Sequence, residues 1–304
     1  MNDGLKDQLS WEEFYKHSKQ RSKVPTKIAE FNRLVAHSKN FFIISGYGAF
    51  TDGYLLIITK ELIPSFALVE KDKINELNFL IKVIKTLINK EFKSKSVVFE
   101  HGMCACVGGL DRAHLHIMSI SKDSTPKTLE DSINQTLYDR KSGIKYVEFK
   151  GHKFQNIHDI KQIFETSKVD SDNVKIEGKI YKIKDIKNLP ENEWPLIALD
   201  HVRKGGHYVY FKSDHNNASF LTTSNFQTQF GREVVFSNQI ITDHTFKKKV
   251  KEIRKKNKFL EVWRWQNCMF ESNIISTMKK SRKGLKNLSK EFKQEYLNYK
   301  FKIV

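Results

Sequence analysis

The chain has 304 residues, a length that corresponds to one large domain or two ordinary ones. Hydrophobic residues make up 39 % of it, which is enough for a buried core and excludes a wholly disordered chain. No run of about 20 apolar residues occurs, so we expect neither a membrane span nor a secretory signal. Only three cysteines are present, Cys104, Cys106 and Cys268, which favours a reducing, cytoplasmic compartment over a disulfide framework.

The positive charge of the chain is concentrated in its last third. There are 53 Lys and Arg against 35 Asp and Glu, a formal net charge of +18. Residues 1–200 carry 31 basic and 27 acidic groups, whereas residues 201–304 carry 22 basic and 8 acidic groups. A basic segment of this kind favours a polyanionic partner such as RNA, DNA or a nucleotide polyphosphate. The alternative is that the lysines serve only to keep the protein soluble.

The hydrophobic pattern of the first 120 residues predicts four strands and one helix. Residues 40–45 and 54–60 are strand-like runs on either side of a glycine-containing turn, so we expect them to pair as antiparallel neighbours. From Glu70 to Phe92 apolar residues recur every three or four positions, which predicts a helix that lies on a sheet. Residues 96–100 and 113–120 are predicted to be the next two strands.

The rest of the chain is predicted to alternate strands and helices around a polar connection. Helices are expected at 126–140, 226–238, 246–257 and 272–298, and short strands at 146–149 and 179–183. Residues 207–212 and 219–223 are predicted to form a hairpin. We therefore expect an α+β protein with an antiparallel sheet in residues 1–150 and a basic α/β extension in residues 151–304.

A phosphate-binding pattern stands at the start of the fourth predicted strand. On a strand, His114 and His116 point to the same face, and Arg112 shares it. The preceding loop contains Gly108 and Gly109, whose backbone N–H groups can approach an anion closely. A neutral imidazole is a competent nucleophile, and a second imidazole or an arginine can bind the oxygens on which charge develops. The pattern therefore predicts phosphate chemistry.

Two other interpretations of this segment stay open. A His-x-His pair also occurs on solvated strand faces that have no function. His101, Cys104, His114 and His116 can in principle ligate a metal, although no second Cys/His pair follows at the spacing of a structural zinc site. We predict no resident metal or other cofactor, and allow a divalent cation only as a companion of the substrate.

Several motifs in roughly residues 30–150 follow one another in an order known from one family. The segments 41–45, 52–60 and 63–66 look like its paired strands and the loop after them. Val97-Val-Phe-Glu-His-Gly102 follows the predicted helix, and Arg112-Ala-His-Leu-His-Ile117 matches a His-x-His-x-His motif except at its first position. Together these motifs resemble the histidine-triad (HIT) family of nucleotide hydrolases and transferases. The resemblance implies a HIT-like antiparallel sheet with flanking helices as the nucleotide-binding and catalytic domain.

The resemblance implies a role for both histidines. His114 matches the residue that attacks the α-phosphate of a nucleoside phosphate and forms a covalent nucleotidyl-histidine, and His116 matches one that contacts the phosphate. Arg112 replaces the first histidine of the triad, and Tyr54 stands where many members have a further one. Arginine is a permanent cation with a planar donor fork, suited to a phosphoryl oxygen but unable to exchange a proton. A backbone carbonyl on Nδ1 can orient His114 instead, with Nε2 facing phosphorus.

Further positions are implied to line the nucleotide site. Gly108 and Gly109 fall in the loop that contacts the phosphate through its backbone. Ile44 and Ser45 lie on the strand that contributes to the nucleoside pocket, and Tyr54 is placed in the same site. For Ile44, ordinary core packing is the alternative.

The basic third of the chain has motifs of its own. Residues 229–235, 261–265 and 273–277 are similar to the extension of larger HIT-like proteins, including relatives of the CwfJ splicing-associated family. Clustered basic residues neutralise several phosphates together, so they are candidates for contact with nucleic acid, and a solvated helix face is the alternative. These candidates are Lys247, Lys248, Lys249, Arg254, Lys255 and Lys256.

The sequence therefore predicts a HIT-type nucleotidyl hydrolase or transferase. Its expected substrate is a dinucleotide polyphosphate, a nucleotide conjugate or an RNA 5′ end. The alternative is a protein that keeps the fold and binds nucleotide or RNA but has lost turnover, which Arg112 and Tyr54 favour and the two retained histidines disfavour. Expected partners are a nucleotide or nucleoside polyphosphate and RNA, without a membrane, and a homodimer is one assembly we allow.

Overall fold

The computed structural model defines most of the chain outside its N-terminus and part of its middle. It describes residues 10–13, 32–63, 65–102, 106–107, 110–139, 147–149, 152–154, 173–176, 179–182, 207–213, 218–223, 229–257 and 261–304. The predicted phosphate loop at Gly108 and Gly109 lies outside the described residues, as does Cys104.

Antiparallel strands form the framework of the structure. They are β1 (Leu34–His37), β2 (Phe41–Ser45), β3 (Tyr54–Thr59), β4 (Lys95–Gly102), β5 (Cys106–Val107), β6 (Leu110–Asp111), β7 (His114–Ile120), β8 (Val147–Phe149), β9 (His152–Phe154), β10 (Asn173–Ile176), β11 (Lys179–Lys182), β12 (His207–Ser213), β13 (Ala218–Thr223) and β14 (Lys302–Ile303). The main sheet has the order β13–β12–β4–β7–β3–β2–β1–β14, β8 to β11 form a second sheet, and β5 pairs with β6.

Helices cover the main sheet. They are α1 (Lys71–Phe92), α2 (Pro126–Asp139), α3 (Phe230–Thr242), α4 (His244–Asn257), α5 (Glu271–Leu288) and α6 (Lys293–Asn298). Together with the antiparallel sheet they confirm the α+β class. In the described ranges, no helix combines the length and apolar character needed to cross a membrane.

The local patterns place most of these elements correctly. Helix α1 matches its predicted range, and β2 and β3 pair around a turn in which Gly53 is left-handed, with φ 80°. The helical stretch predicted over 272–298 is divided into two helices, because α5 ends at Leu288 and α6 begins at Lys293. Between the two helices the side chain of Phe292 turns inwards and joins the core. Tertiary packing therefore overrides the continuous helical pattern.

Both faces of the main sheet are covered. Helix α1 packs against Leu55, Ile57 and Leu115 on one face. Helix α3 packs on the other face, where Leu56 and Phe99 are buried. Because side chains alternate along a strand, His114 and His116 of β7 lie on the face that α3 covers.

Residues far apart in sequence build the same sheet. The hairpin of β12 and β13 extends the sheet beside β4, and β14 pairs with β1 at the opposite edge. Residues after 200 thus complete both edges of a sheet that begins at Leu34.

The predicted domain boundary at residue 150 lies between β8 and β9, which pair with each other. The division into two domains stays a prediction.

An aromatic cluster holds the C-terminal segment on helix α1. The ring of Phe79 lies 5.2 to 6.2 Å from four other ring centroids. The four rings belong to Phe292, Tyr296, Tyr299 and Phe301.

We expect Phe79→Ala to lower the free energy of unfolding by about 3 to 5 kcal/mol, because it leaves a cavity at the centre of this cluster. Urea unfolding followed by circular dichroism measures the change. Leu297→Ala is the matched control, because Leu297 belongs to the C-terminal segment that the cluster holds but its side chain is 65 % exposed. An unfolding midpoint of Phe79→Ala equal to that of the control would contradict the packing described.

Candidate functional site

Three imidazoles meet on the sheet face beneath α3. His116 pairs with Leu56 on β3 and with Phe99 on β4, while His101 stands near the end of β4. The ring centroids of His114 and His116 are 4.8 Å apart, and those of His101 and His116 are 6.5 Å apart. All three residues are buried, with 6 to 8 % of their surface exposed. They form a compact imidazole cluster rather than a solvated strand face.

The main chain fixes the orientation of His114. Its Nδ1 lies 3.1 Å from the carbonyl oxygen of Arg112. Because a carbonyl oxygen only accepts, Nδ1 carries the proton and Nε2 keeps its lone pair. Burial lowers the pKa of His114 to about 4, although the hydrogen bond to Arg112 acts in the opposite direction. Near pH 7 His114 is therefore a neutral imidazole with an unprotonated Nε2, in the orientation expected from the sequence.

His116 is held by aromatic neighbours and one hydroxyl. Its ring is parallel to that of Phe99 at 4.4 Å and nearly parallel to that of Tyr54 at 5.9 Å. The Tyr54 hydroxyl lies 2.7 Å from Nδ1 of His116. Burial, and secondarily the neighbouring His114, holds the pKa of His116 well below its ordinary value. Tyr54 thus belongs to the site, where it orients an imidazole.

His101 receives a hydrogen bond from the C-terminal part of the chain. The backbone N–H of Gly231 in α3 donates to Nε2 of His101 over 2.9 Å, so the proton of this ring lies on Nδ1. A Cβ at position 231 would clash with the ring of Phe99, so only glycine allows this approach. Burial and then His114 lower the pKa of His101 to about 3.

The structure does not assemble a metal centre from the residues it describes. In those ranges no group of three or more His, Cys, Asp or Glu side chains is arranged to hold a metal ion. Cys104, the thiol considered with the three histidines in the sequence, lies outside them.

Arg112 has a contact with the main chain. It is 2 % exposed, and its Nη1 donates to the carbonyl oxygen of Lys60. Burial lowers the pKa of this guanidinium. The hydrogen bond joins the start of β7 to the end of β3, so one donor of Arg112 is used within the protein.

The two predicted nucleoside-pocket residues on β2 lie on opposite faces. Ile44 pairs with Leu56 and is fully buried in the cluster on the imidazole face. Ser45 pairs with Leu55, whose side chain packs under α1. Strand alternation therefore places the side chain of Ser45 on the face opposite to His114 and His116, and its role in a nucleoside pocket stays a prediction.

The predicted basic clusters form the exposed side of α4. Phe246 and Val250 are buried and attach this helix to the core. Five of the predicted cluster residues are exposed on it, namely Lys247, Lys248, Lys249, Arg254 and Lys255. The side chain of Lys256 lies outside the described residues.

One buried residue near the imidazoles was not among the predicted site residues. Arg232 in α3 is 3 % exposed, and its guanidinium carbon lies 5.1 Å from the centre of the Tyr54 ring. In the sequence it appears only within the motif 229–235. A Gly-Arg pair at the start of a helix gives no sign that it lies beside a strand more than a hundred residues away.

Comparison with known proteins adds no relative. No family model matches the chain, and no curated protein matches it either. The relation to the HIT family therefore stays a hypothesis that rests on the motifs.

The imidazole cluster makes stability depend on pH. The unfolded chain protonates His101 as pH falls through 6.5, whereas the folded protein does so only at about 3. The unfolded state then binds more protons, so the free energy of unfolding falls by up to about 1.4 kcal/mol per pH unit for this residue as the solution is acidified.

We expect His101→Gln to reduce the dependence of the unfolding free energy on pH between about pH 6 and about pH 4 by one proton. Urea unfolding at several pH values measures the slope. Leu297→Ala, an exposed change that removes no titratable group, is the control and should keep the wild-type slope. Equal slopes for wild type and His101→Gln would refute a buried, neutral His101.

Proposed function

We propose that the protein is a HIT-like nucleotidyl hydrolase or transferase that acts on the α-phosphate of a nucleoside phosphate. The observation that carries the proposal is the hydrogen bond from His114 Nδ1 to the Arg112 carbonyl oxygen. It leaves the Nε2 lone pair as a nucleophile in a ring that burial keeps neutral. The chain supplies this orientation without a histidine at the first triad position.

The proposed reaction has two displacements at phosphorus. Nε2 of His114 attacks the α-phosphorus, an N–P bond forms, and the P–O bond to the leaving group breaks with its electron pair on the leaving oxygen. Water or another acceptor hydroxyl then attacks the same phosphorus. The N–P bond breaks, its electron pair returns to Nε2, and the proton of the attacking hydroxyl passes to solvent.

The protonation state of the cluster favours a leaving group that needs no proton. Burial lowers the pKa of His101, His114 and His116, so all three imidazoles are neutral near pH 7. A neutral imidazole is a poor general acid, and Arg112 cannot exchange its proton. A phosphate chain leaves as a stable anion without being protonated, whereas an amine must be protonated before it leaves. We therefore propose a nucleoside polyphosphate, a dinucleotide polyphosphate or an RNA 5′ end as substrate, ahead of an amine conjugate.

Covalent trapping tests the reaction. We expect wild type mixed with α-³²P-labelled nucleotides, dinucleotide polyphosphates or 5′-triphosphorylated RNA to acquire an acid-labile label that is retained on a denaturing gel. His114→Ala should acquire none, because it lacks the attacking nitrogen. Tyr54→Phe should slow labelling about 10-fold, because His116 loses a hydrogen bond.

His244→Ala is the matched control, since this imidazole lies on an exposed helix end. It should be labelled like wild type. Equal labelling of His114→Ala and wild type, or no labelling of wild type across the whole panel, would refute the proposal.

A second candidate function is binding of RNA without turnover. Two observations favour it: the imidazoles are almost completely buried beneath α3, and the described part of α4 exposes six lysine and arginine side chains around a single acidic one, Glu252. Such a helix can contact several phosphates of one strand. The two functions are compatible if the basic helix α4 binds the same RNA molecule whose 5′ end reaches the imidazole cluster.

The homodimer allowed by the sequence stays a prediction.

We expect replacement of Lys247, Lys248 and Lys249 by glutamine to weaken the binding of single-stranded RNA. The slope of log affinity against log salt concentration should decrease in magnitude by about 2, because fewer counterions are released when fewer phosphates are contacted on binding. Fluorescence polarisation over a salt series measures it. The matched control replaces three exposed lysines at the other end of the extension, Lys286, Lys290 and Lys293. Identical slopes for the two triple variants would exclude α4 as the contact.

A further inference from the structure

Arg232 is a buried cation whose charge is not matched by a carboxylate in the described part of the chain. Its Nε donates to the carbonyl oxygen of Trp263 over 3.0 Å, and its Nη2 donates to that of Gly48 over 2.5 Å and to Sγ of Cys268 over 3.0 Å. These partners are neutral. A buried guanidinium without a counter-charge is costly, because the desolvation of the ion is not offset.

One donor of Arg232 is unused. Its Nη1 is buried and makes no close hydrogen bond among the described residues, and the guanidinium lies near the Tyr54 hydroxyl, where it opposes the rise that burial causes in the pKa of that phenol. Natural structures seldom leave such a donor without an acceptor, and a bound ligand is one way to satisfy it. The other two nitrogens hold the guanidinium in a fixed position, so Nη1 is pre-oriented for an acceptor.

The guanidinium stands beside the imidazole cluster. Its carbon lies 5.1 Å from the centre of the Tyr54 ring, and the Tyr54 hydroxyl lies 2.7 Å from Nδ1 of His116. The preceding residue in the chain, Gly231, donates its N–H to Nε2 of His101. The start of α3 thus brings a cation to the same face of the sheet as the nucleophile.

We propose that Arg232 is the anion-binding residue of the site and that its Nη1 donates to an oxygen of a phosphate group of the ligand. The inference rests on the proposed function for the identity of the ligand. Arg232, from the C-terminal part of the chain, then supplies a permanent positive charge, which the neutral imidazoles lack.

Calorimetric titration with inorganic pyrophosphate tests the assignment in the full chain, because this probe carries no base. We expect wild type to bind one pyrophosphate and Arg232→Gln to bind it about 10- to 100-fold more weakly, the usual effect of losing one charged hydrogen bond. Arg232→Lys should bind with intermediate affinity, because it keeps the charge but not the fork. Circular dichroism and thermal unfolding establish that each variant is folded.

Cys268→Ala is the matched control for a purely structural role. It removes one partner of Nη2 but leaves Nη1 in place, so we expect wild-type affinity for pyrophosphate. Equal weakening in Cys268→Ala and Arg232→Gln would overturn the proposal in favour of a structural clamp. If Arg232→Gln does not fold, Arg232→Lys decides: weaker binding than Cys268→Ala supports the proposal, and wild-type affinity overturns it.

The trapping assay separates this inference from the proposed reaction. Pyrophosphate binding that depends on Arg232 in a protein that forms no covalent label would refute the nucleotidyl transfer and leave the anion site standing. Labelling of a folded Arg232→Gln at the wild-type rate would overturn the role of Arg232 and leave the reaction standing. Failure of wild type to bind pyrophosphate would overturn the anion site.

Discussion

Neutral, hydrogen-bonded imidazoles buried on an apolar sheet face are the constraint on which the rest of the site depends. Each of the three has a ring nitrogen with a defined partner: the Arg112 carbonyl for His114, the Tyr54 hydroxyl for His116 and the Gly231 N–H for His101. Charging any of them would place an uncompensated ion under α3. Their low pKa values therefore follow from the packing, and the hydrogen bonds also determine the tautomers of His114 and His101.

The C-terminal part of the chain is integral to this arrangement. Helix α3 covers the imidazole face, and its first turn supplies both a hydrogen bond to His101 and the guanidinium of Arg232. Arg232 also holds the Gly48 turn and the Trp263 segment in place through its other nitrogens. The start of this helix and the ring of His116 both pack against Phe99.

Local sequence patterns predicted the helices and strands in which the hydrophobic periodicity extends over several residues. Helix α1 and strands β2, β3, β4 and β7 follow from periodicity over several residues. Strands β1 and β14 were not predicted, because runs of four and two residues carry little pattern and depend on pairing with neighbouring strands, β1 with β2 and β14 with β1. Ser45 shows that a strand alone does not place a residue in a site, since neighbouring positions along a strand point to opposite faces of the sheet.

The sequence by itself determined that His114 and His116 share a face, because alternation along β7 is a local property of an extended backbone. It also led to the expectation that a backbone carbonyl on Nδ1 orients His114. Only the tertiary structure decided that His101 and Arg232 join them. The position of His101 depends on the pairing of β4 with β7, and that of Arg232 depends on the docking of α3 onto a strand more than a hundred positions earlier in the chain, and no local pattern encodes either contact.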